Sequence, residues 1–261
     1  MLDKQRQMKI MAEIKRDGFV LIKDLMVSLD ASRSSIMRDL DFLEKQGLLI
    51  RQRGGASLKP IETSLNTFTD LYTLDKENIQ KTQKQIVCKE ASKLLHDGQC
   101  IYVDSGSTAT YLSPYLTDLN ITLVTPSVFL LRRLQETFKG NVFLLGGTYY
   151  PKYNSSLGTF TNQQVQQFNF DVALFTCSGL NIEKKEITVV DYELGALKSE
   201  VLKRSKKNIL LIDSSKLHMS APCRFASLED MDVIFIDDLE KMKHKPKNFV
   251  VCKETSYESV K

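Results

Sequence analysis

The chain of 261 residues is 42% hydrophobic and 26% charged, which suggests two domains or one large one and excludes collagen-like, low-complexity and broadly disordered architectures. Its net charge of +4 lies entirely in the first fifth: residues 1–59 hold 12 Lys and Arg against 8 Asp and Glu, whereas residues 60–261 hold 24 of each. An excess confined to one end points to a nucleic-acid contact there.

No stretch approaches about 18 uncharged apolar residues, so no transmembrane helix is expected. The opening MLDKQRQMKIMAEIKRDG is charged too often for a signal peptide, and the chain is expected in the cytoplasm with no membrane partner. Cys88, Cys100, Cys177, Cys223 and Cys252 stand singly beside only three histidines, the pattern of reduced thiols rather than of disulfides or a metal site.

Lys4–Lys15 reads as an amphipathic helix with Met8, Met11, Ala12 and Ile14 on one side, ended by Asp17-Gly18. Phe19-Val20-Leu21-Ile22 predicts a short strand, Lys23–Leu29 a second helix, and Asp30-Ala31 a tight turn. Ser32 is placed as the N-cap of the next helix, Ser35–Gln46, in which Ile36, Leu40 and Leu43 recur at i, i+4, i+7, and Gly47 as its C-cap. Leu48-Leu49-Ile50 predicts a strand, Arg51-Gln52-Arg53-Gly54-Gly55 a basic hairpin tip, and Ala56-Ser57-Leu58 the returning strand.

That order predicts a winged helix-turn-helix over residues 1–58. Burying Ile36, Leu40 and Leu43 leaves Arg33, Ser34, Met37 and Arg38 on the outer face for the major groove of a double-stranded DNA operator. Ser32, Ser34 and Ser35 offer hydroxyls at the start of that helix, and Arg51, Arg53 and Gly54 approach the backbone from the wing. A small helical bundle whose arginines merely solvate one face fits the same spacing.

The segment SRSSIMRDLDFLEKQGLLIRQRGGA resembles the recognition helix and wing of DeoR-type bacterial regulators, through Ser32, Ile36, Arg38, Asp39, Leu40, Leu43, Gly47, Gly54, Gly55 and Ala56. Met37 stands where the family has an arginine and Arg53 where it has a histidine, so the resemblance implies DNA binding with a shifted operator preference.

Residues 59–75, with Pro60, Thr63, Ser64, Asn66 and Thr67, read as a linker. Lys76–His96 predicts a long helix ending at Asp97-Gly98. Strand candidates then alternate with helical stretches: Ile101–Val103, Ile121–Val124, Asn141–Leu145, Asp171–Cys177, Asn208–Ile212 and Asp232–Ile236, with helices over Thr108–Leu116, Val128–Phe138, Thr161–Phe168 and Tyr192–Arg204 between most of them. This rhythm predicts a mostly parallel α/β sheet with helices on both faces over residues 76–240, whose ligands gather at the carboxyl ends of the strands. The tail, 241–261, is lysine-rich, with Asn248–Cys252 as a candidate last strand.

Asp104-Ser105-Gly106-Ser107-Thr108 joins the first of these strands to a helix, a turn able to hold an anion or simply to cap that helix. Neither G-x-G-x-x-G nor a Walker sequence is present, so a small phosphorylated ligand is favoured over a nucleotide and no cofactor is expected. Thr125-Pro126-Ser127, Gly146-Gly147, Ser178-Gly179 and Asp213-Ser214-Ser215-Lys216 follow later strands, and Lys216 offers phosphate a point charge. Asp191, Glu193 and Lys198 begin the helix between and either meet sugar hydroxyls or solvate a face.

These turns are also similar to the DeoR-type sensor domain, which is related in fold to ribose-5-phosphate isomerase and binds phosphorylated sugars. The resemblance implies an effector site built from Asp104, Ser105, Gly106, Ser107, Thr108, Thr125, Ser127, Gly146, Gly147, Asp191, Glu193, Lys198 and Lys216. Ser178 replaces an acidic residue of the family, Leu194-Gly195 replaces Glu-Ala, and Pro126 replaces asparagine, which implies an altered effector or a weakened sensor.

The expected function is a repressor of a sugar-uptake or sugar-catabolism operon, working as a homodimer or homotetramer because one helix-turn-helix reads only a half-site. An isomerase, with Asp104, Asp191 or Glu193 as its base, and an interaction scaffold with a relic pocket are the rival readings. No catalytic residue is assigned.

Overall fold

A computed structural model describes residues 3–17, 19–45, 48–52, 54–58, 72–134, 136–239 and 246–253. It divides the chain into two units, Met1–Glu62 and Thr63–Lys261.

The first unit runs α1 (Asp3–Asp17), β1 (Phe19–Leu21), α2 (Ile22–Ser28), α3 (Arg33–Lys45), β2 (Leu49–Gln52) and β3 (Gly55–Leu58). The strands pair antiparallel in the order β1-β3-β2, so β2 and β3 form the predicted wing and β1 closes its inner edge. Ile10, Ile14, Leu25, Ile36, Leu40 and Leu43 pack into one core with Leu49 and Ala56 of the wing. The inward face of α1 differs from the predicted one. Arg6, Ile10 and Ile14, spaced four apart, are buried, whereas Met8 is exposed. Helix α3 starts at Arg33 because the Ser32 hydroxyl accepts the Ser35 amide at 3.3 Å, the bond of an N-cap to its third helical residue. Gly54 turns the wing at φ +88°, where a side chain would be strained, and a Cβ on Gly55 would lie 2.2 Å from the Val20 carbonyl oxygen. The proposed C-cap Gly47 and wing residue Arg53 lie outside the described residues.

The second unit begins with turns over residues 73–80 and then α4 (Lys81–Ser92). Gln80 adopts left-handed geometry (φ +54°), which is why the helix does not reach back to Lys76 as its sequence pattern predicts. There follow β4 (Cys100–Val103), a 3₁₀ turn (Ala109–Leu112) with α5 (Ser113–Leu116), β5 (Thr122–Thr125), α6 (Val128–Arg133) and β6 (Asn141–Leu144). Next come β7 (Thr148–Tyr150), β8 (Ser155–Leu157), α7 (Thr159–Val165), β9 (Val172–Phe175), β10 (Gly179–Asn181), β11 (Glu186–Val189), α8 (Tyr192–Leu202) and β12 (Asn208–Leu211). A 3₁₀ turn (Ser214–Lys216), β13 (Cys223–Ser227), β14 (Val233–Ile236) and β15 (Phe249–Val251) complete it.

Seven strands make one parallel sheet in the order β15-β14-β12-β9-β4-β5-β6. Successive side chains of a strand point to opposite faces, so Tyr102 enters one core with Leu197 and Val201 of α8, while Ile101 and Val103 enter a second with Val87 and Ala91 of α4. The sheet grows outward from β4 in one direction through β5 and β6, and in the other through β9, β12, β14 and β15. The β4–β9 junction is therefore the point where strand order reverses, the usual place for a ligand crevice at the carboxyl ends. Two small antiparallel sheets, β7-β8 and β10-β11-β13, were not predicted from the hydrophobic rhythm. Among the described residues no helix is long and apolar enough to cross a membrane.

Candidate nucleic-acid interface and anion site

The outer face of α3 presents Arg33, Ser34 and Arg38 to solvent, with Ser32 exposed at its start and Ser35 half-buried. Met37 departs from the expectation. It is half-buried and packs against the core, because it stands beside Ile36 and one turn from Leu40. Arg51 departs too, since it lies inside β2 rather than at the hairpin tip. Its amide and Nε bond the Glu44 carboxylate at 2.9 and 2.7 Å, and Nη2 lies 3.4 Å from Asp41. These two bonds from Arg51, amide first, hold the Glu44 carboxyl below its ordinary range.

Asp39, the acidic residue of the motif, is not at the surface. It is buried on the inner side of α3, accepting from Arg6 Nε at 2.5 Å and Gln7 Nε2 at 3.0 Å. It thus fixes α1 against the helix that carries Arg33 and Arg38. The sequence signal for its partner is Arg6 itself, a charged residue in phase with Ile10 and Ile14.

In the second unit, Asp104 leaves β4 at the strand-order reversal and is 1% exposed. Its Oδ2 accepts from the Thr176 amide at 2.9 Å, from the Thr176 hydroxyl and from Lys198 Nζ, and Lys198 also donates to the Thr176 carbonyl at 3.2 Å. Asp104 and Lys198 therefore form a closed buried pair, whereas the sequence placed Asp104 in the anion turn and Lys198 either against sugar hydroxyls or on a solvated face. They bolt α8 to the junction of β4 and β9.

The turn above this pair is built for close approach. A Cβ on Gly106 would sit 2.0 Å from the Thr176 hydroxyl oxygen, so no other residue fits without displacing the turn. The amides of Ser105, Gly106, Ser107 and Thr108 have no acceptor among the described residues. Ser105, Ser107 and Thr108 are buried.

Lys84 was missing from the sequence-derived set. It is 3% exposed, on the inward stripe of α4 with Val87, Cys88 and Ala91, and it donates to the Ser107 hydroxyl at 3.1 Å and the Lys76 carbonyl at 2.5 Å. No carboxylate touches it among the described residues. Burial pushes its ammonium down to about 8; Asp213 pulls the other way, and the charges of Lys216 and Lys76 push further down. A lysine in phase with an apolar stripe was the signal that could have found it.

Lys216 ends the 3₁₀ turn after β12, half-buried and without an ion pair among the described residues. Asp213 caps that turn through the Ser215 amide at 3.1 Å, and Asp237 holds Ser214 at 2.6 Å. The Cys177 thiol, at the end of β9, feels Lys216, Lys198, Asp213 and Asp104, and burial pushes it up to about 12. The ends of β4, β9 and β12 therefore converge electrostatically.

Other expected contacts serve the fold. The Thr125 hydroxyl donates to the Val103 carbonyl at 2.7 Å and accepts the Ser127 amide at 3.1 Å, while the Ser127 hydroxyl caps α6 through Leu130 at 3.0 Å. Both residues are fully buried. The Gly146 amide bonds Gln164 at 3.0 Å, and a Cβ on Gly147 would lie 2.1 Å from the Thr161 hydroxyl oxygen, so this pair seats α7. Asp191 caps α8 through the Glu193 amide at 2.8 Å and accepts from the Tyr153 hydroxyl at 3.3 Å. Glu193 is half-buried in the first turn of α8.

A winged helix-turn-helix followed by a parallel α/β domain is the architecture of a DNA-binding regulator with a second, separate domain. A DeoR-like helix-turn-helix domain matches residues 6–61, and the DeoR C-terminal sensor domain matches residues 79–238. The chain belongs to the DeoR family of transcriptional regulators. It is 27% identical over 240 residues to the HTH-type transcriptional repressor GlcR of Bacillus subtilis, covering 92% of this chain and 90% of that one. It is 30% identical over 229 residues to the L-fucose operon activator of Haemophilus influenzae, covering 87% and 89%. Among solved structures, ribose 5-phosphate isomerase A of Methanocaldococcus jannaschii matches with a TM-score of 0.37 at 18% identity, over 53% of this chain and 55% of that one.

Proposed function

We propose that this regulator controls a sugar-uptake or sugar-catabolism operon, as a repressor, and that a phosphorylated sugar or related metabolite bound in the second unit sets its affinity for operator DNA in the cytoplasm. The observation that carries the reading is Lys84. A buried ammonium that touches Ser107 but no carboxylate, under the charge of Lys216, is compensated when an anion occupies the Ser105–Thr108 turn. Ser105, Gly106, Ser107, Thr108, Lys84 and Lys216 would hold the phosphate. Glu193, with Asp191 beside it, remains for hydroxyls. On DNA, Arg33, Ser34 and Arg38 would meet the major groove, with Gly54 at the wing. A dimer or tetramer is the working form, since two half-sites need two recognition helices.

Of the two relatives described above, one is named a repressor and one an activator. Of the three candidate bases of an isomerase, Asp104 is committed to Lys198 and Asp191 to capping α8, which leaves Glu193 alone.

The test is thermal unfolding against a panel of sugar phosphates and their unphosphorylated parents. Ligand at about 100 times Kd adds roughly 2.7 kcal/mol, a shift of several degrees. A shift with a phosphorylated compound only, together with changed operator affinity at fixed salt, is expected. No shift with any compound would overturn the sensing role.

A further inference from the structure

In chain order, Tyr72–Gln80 stands between the DNA-binding unit and the sheet. Among the described residues, these contacts fasten the segment to the rest of the second unit. The Thr73 amide donates to the Lys152 carbonyl at 2.9 Å, the Tyr111 hydroxyl donates to the Glu77 carbonyl at 2.9 Å, Arg133 pairs with the Glu77 carboxylate, and Lys84 donates to the Lys76 carbonyl at 2.5 Å. Arg133 is itself held between the rings of Tyr111 and Phe129, at 5.2 and 5.0 Å. Two of these residues also reach the anion turn: the Tyr111 amide donates to the Thr108 carbonyl at 3.1 Å, and Lys84 donates through its side-chain ammonium to the Ser107 hydroxyl, the contact that carries charge.

Resting on the phosphate reading of that turn, we infer that Lys84 couples the two: an anion on the Ser105–Thr108 turn fastens the segment Tyr72–Gln80 through the Lys84 ammonium. A lysine ammonium has three protons. Two go to the Lys76 carbonyl and the Ser107 hydroxyl, and the third has no acceptor among the described residues. An anion can take that third proton without displacing either partner. It then holds the ammonium in place and keeps it charged, so the bond to Lys76 becomes a full charge-assisted one. Coupling of this kind is reciprocal. Whatever the anion adds to the hold on the segment, a loosened segment subtracts from anion affinity.

Reciprocity gives a test at residues remote from the turn. Inorganic phosphate binding to the full-length protein is measured by calorimetry in wild type, Glu77→Ala, Lys84→Met and the double variant, with hydrogen exchange of residues 72–80 followed at saturating phosphate. Glu77→Ala is expected to weaken phosphate binding about fivefold, the low end of allosteric coupling. Lys84→Met is expected to weaken phosphate binding itself; at phosphate concentrations that saturate this variant, Glu77→Ala is expected to leave its remaining affinity unchanged, and phosphate is expected to slow exchange in the segment only when Lys84 is present. Tyr111→Phe, which removes one hydrogen bond and keeps the ring, repeats the measurement should Glu77→Ala fold poorly. Unchanged phosphate affinity in both variants, or equal protection with Lys84→Met, would overturn the coupling alone. Absence of phosphate binding to the wild type would overturn the anion site and the coupling with it.

Discussion

In the N-terminal unit the buried charge is closed and the working charge is outside. Asp39 receives Arg6 and Gln7 beneath α3, while Arg33, Ser34 and Arg38 stand in solvent on its other side. The second unit also closes one buried pair, Asp104 with Lys198, but leaves a second buried cation, Lys84, with no carboxylate against it among the described residues. The difference is the one that the proposed ligands, a duplex for the first unit and a small anion for the second, would require. A duplex is an extended polyanion that must be met by an exposed face, at the cost of strong screening by salt. A small anion can be enclosed, where the lower dielectric strengthens each contact and the unoccupied site bears the burial cost.

The largest expected effect is on stability, and it separates closed charge from open charge. Removing one member of a closed pair strands the other in the interior. Asp39→Ala and Lys198→Met are each expected to lose about 3–5 kcal/mol in denaturant titrations of the unit concerned. Lys84→Met removes a buried ammonium that no carboxylate compensates, so at pH 7 without anion it is expected to fall within about 1 kcal/mol of wild type, on the stabilising side. A loss from Lys84→Met as large as that from Lys198→Met would erase the contrast.

Next comes the exposed face of α3. Arg38→Ala is expected to cost about 1–3 kcal/mol in operator affinity, read by fluorescence anisotropy at fixed salt, while melting as wild type does. An unchanged affinity in a folded variant would mean that the recognition face lies elsewhere.

The legibility of the two units differs in the same physical way. Helical spacing located α3, its N-cap and the exposed arginines, because an amphipathic helix writes its buried stripe into the sequence. It misplaced Met37, whose position at the stripe's margin left it packed rather than presented, and it set Arg51 at a tip that strand pairing puts two residues further on. In the second unit the strand rhythm gave six of the seven parallel strands; the seventh, β15, joins the sheet from the tail, which the sequence set outside this domain with only a candidate last strand. Spacing could not show which buried charges meet. Asp104, Thr176 and Lys198 come from β4, the end of β9 and α8, and Lys84 reaches the site from a helix whose pattern read simply as amphipathic. The hydroxyls of Thr125 and Ser127 looked available, yet each satisfies a backbone group that strand and helix ends would otherwise leave unpaired.

Proton traffic sharpens the comparison within the second unit. Burial pushes the Lys84 ammonium down to about 8 from its ordinary 10.5. Between those values the unfolded chain binds more protons than the folded one, so this group makes stability rise with pH through that window. An anion beside the ammonium favours its charged form and reverses the shift. Phosphate binding at about pH 8.5 is therefore expected to take up a fraction of a proton, and affinity is expected to fall as pH rises above about 8. Calorimetry in buffers of different ionisation enthalpy reads the uptake. Equal uptake in Lys84→Met would assign it to another group.

The smallest expected effect concerns Arg51, where sequence and structure disagree about employment. A wing arginine free to meet phosphate would contribute about one unit to the slope of log affinity against log salt. Arg51 instead spends its amide and Nε on Glu44 and its Nη2 on Asp41, both on α3, so DNA must compete with two carboxylates already in place. Arg51→Ala should change the slope by well under one unit, and by less than Arg33→Ala, whose side chain stands exposed at the start of α3. The expected consequence of losing Arg51 is a loosened wing: hydrogen exchange in β2 and β3 should quicken, because the strand loses its tie to the recognition helix. A full unit of slope lost with Arg51, and no change in wing exchange, would show that the guanidinium leaves Glu44 for the duplex and that the wing carries working charge as α3 does.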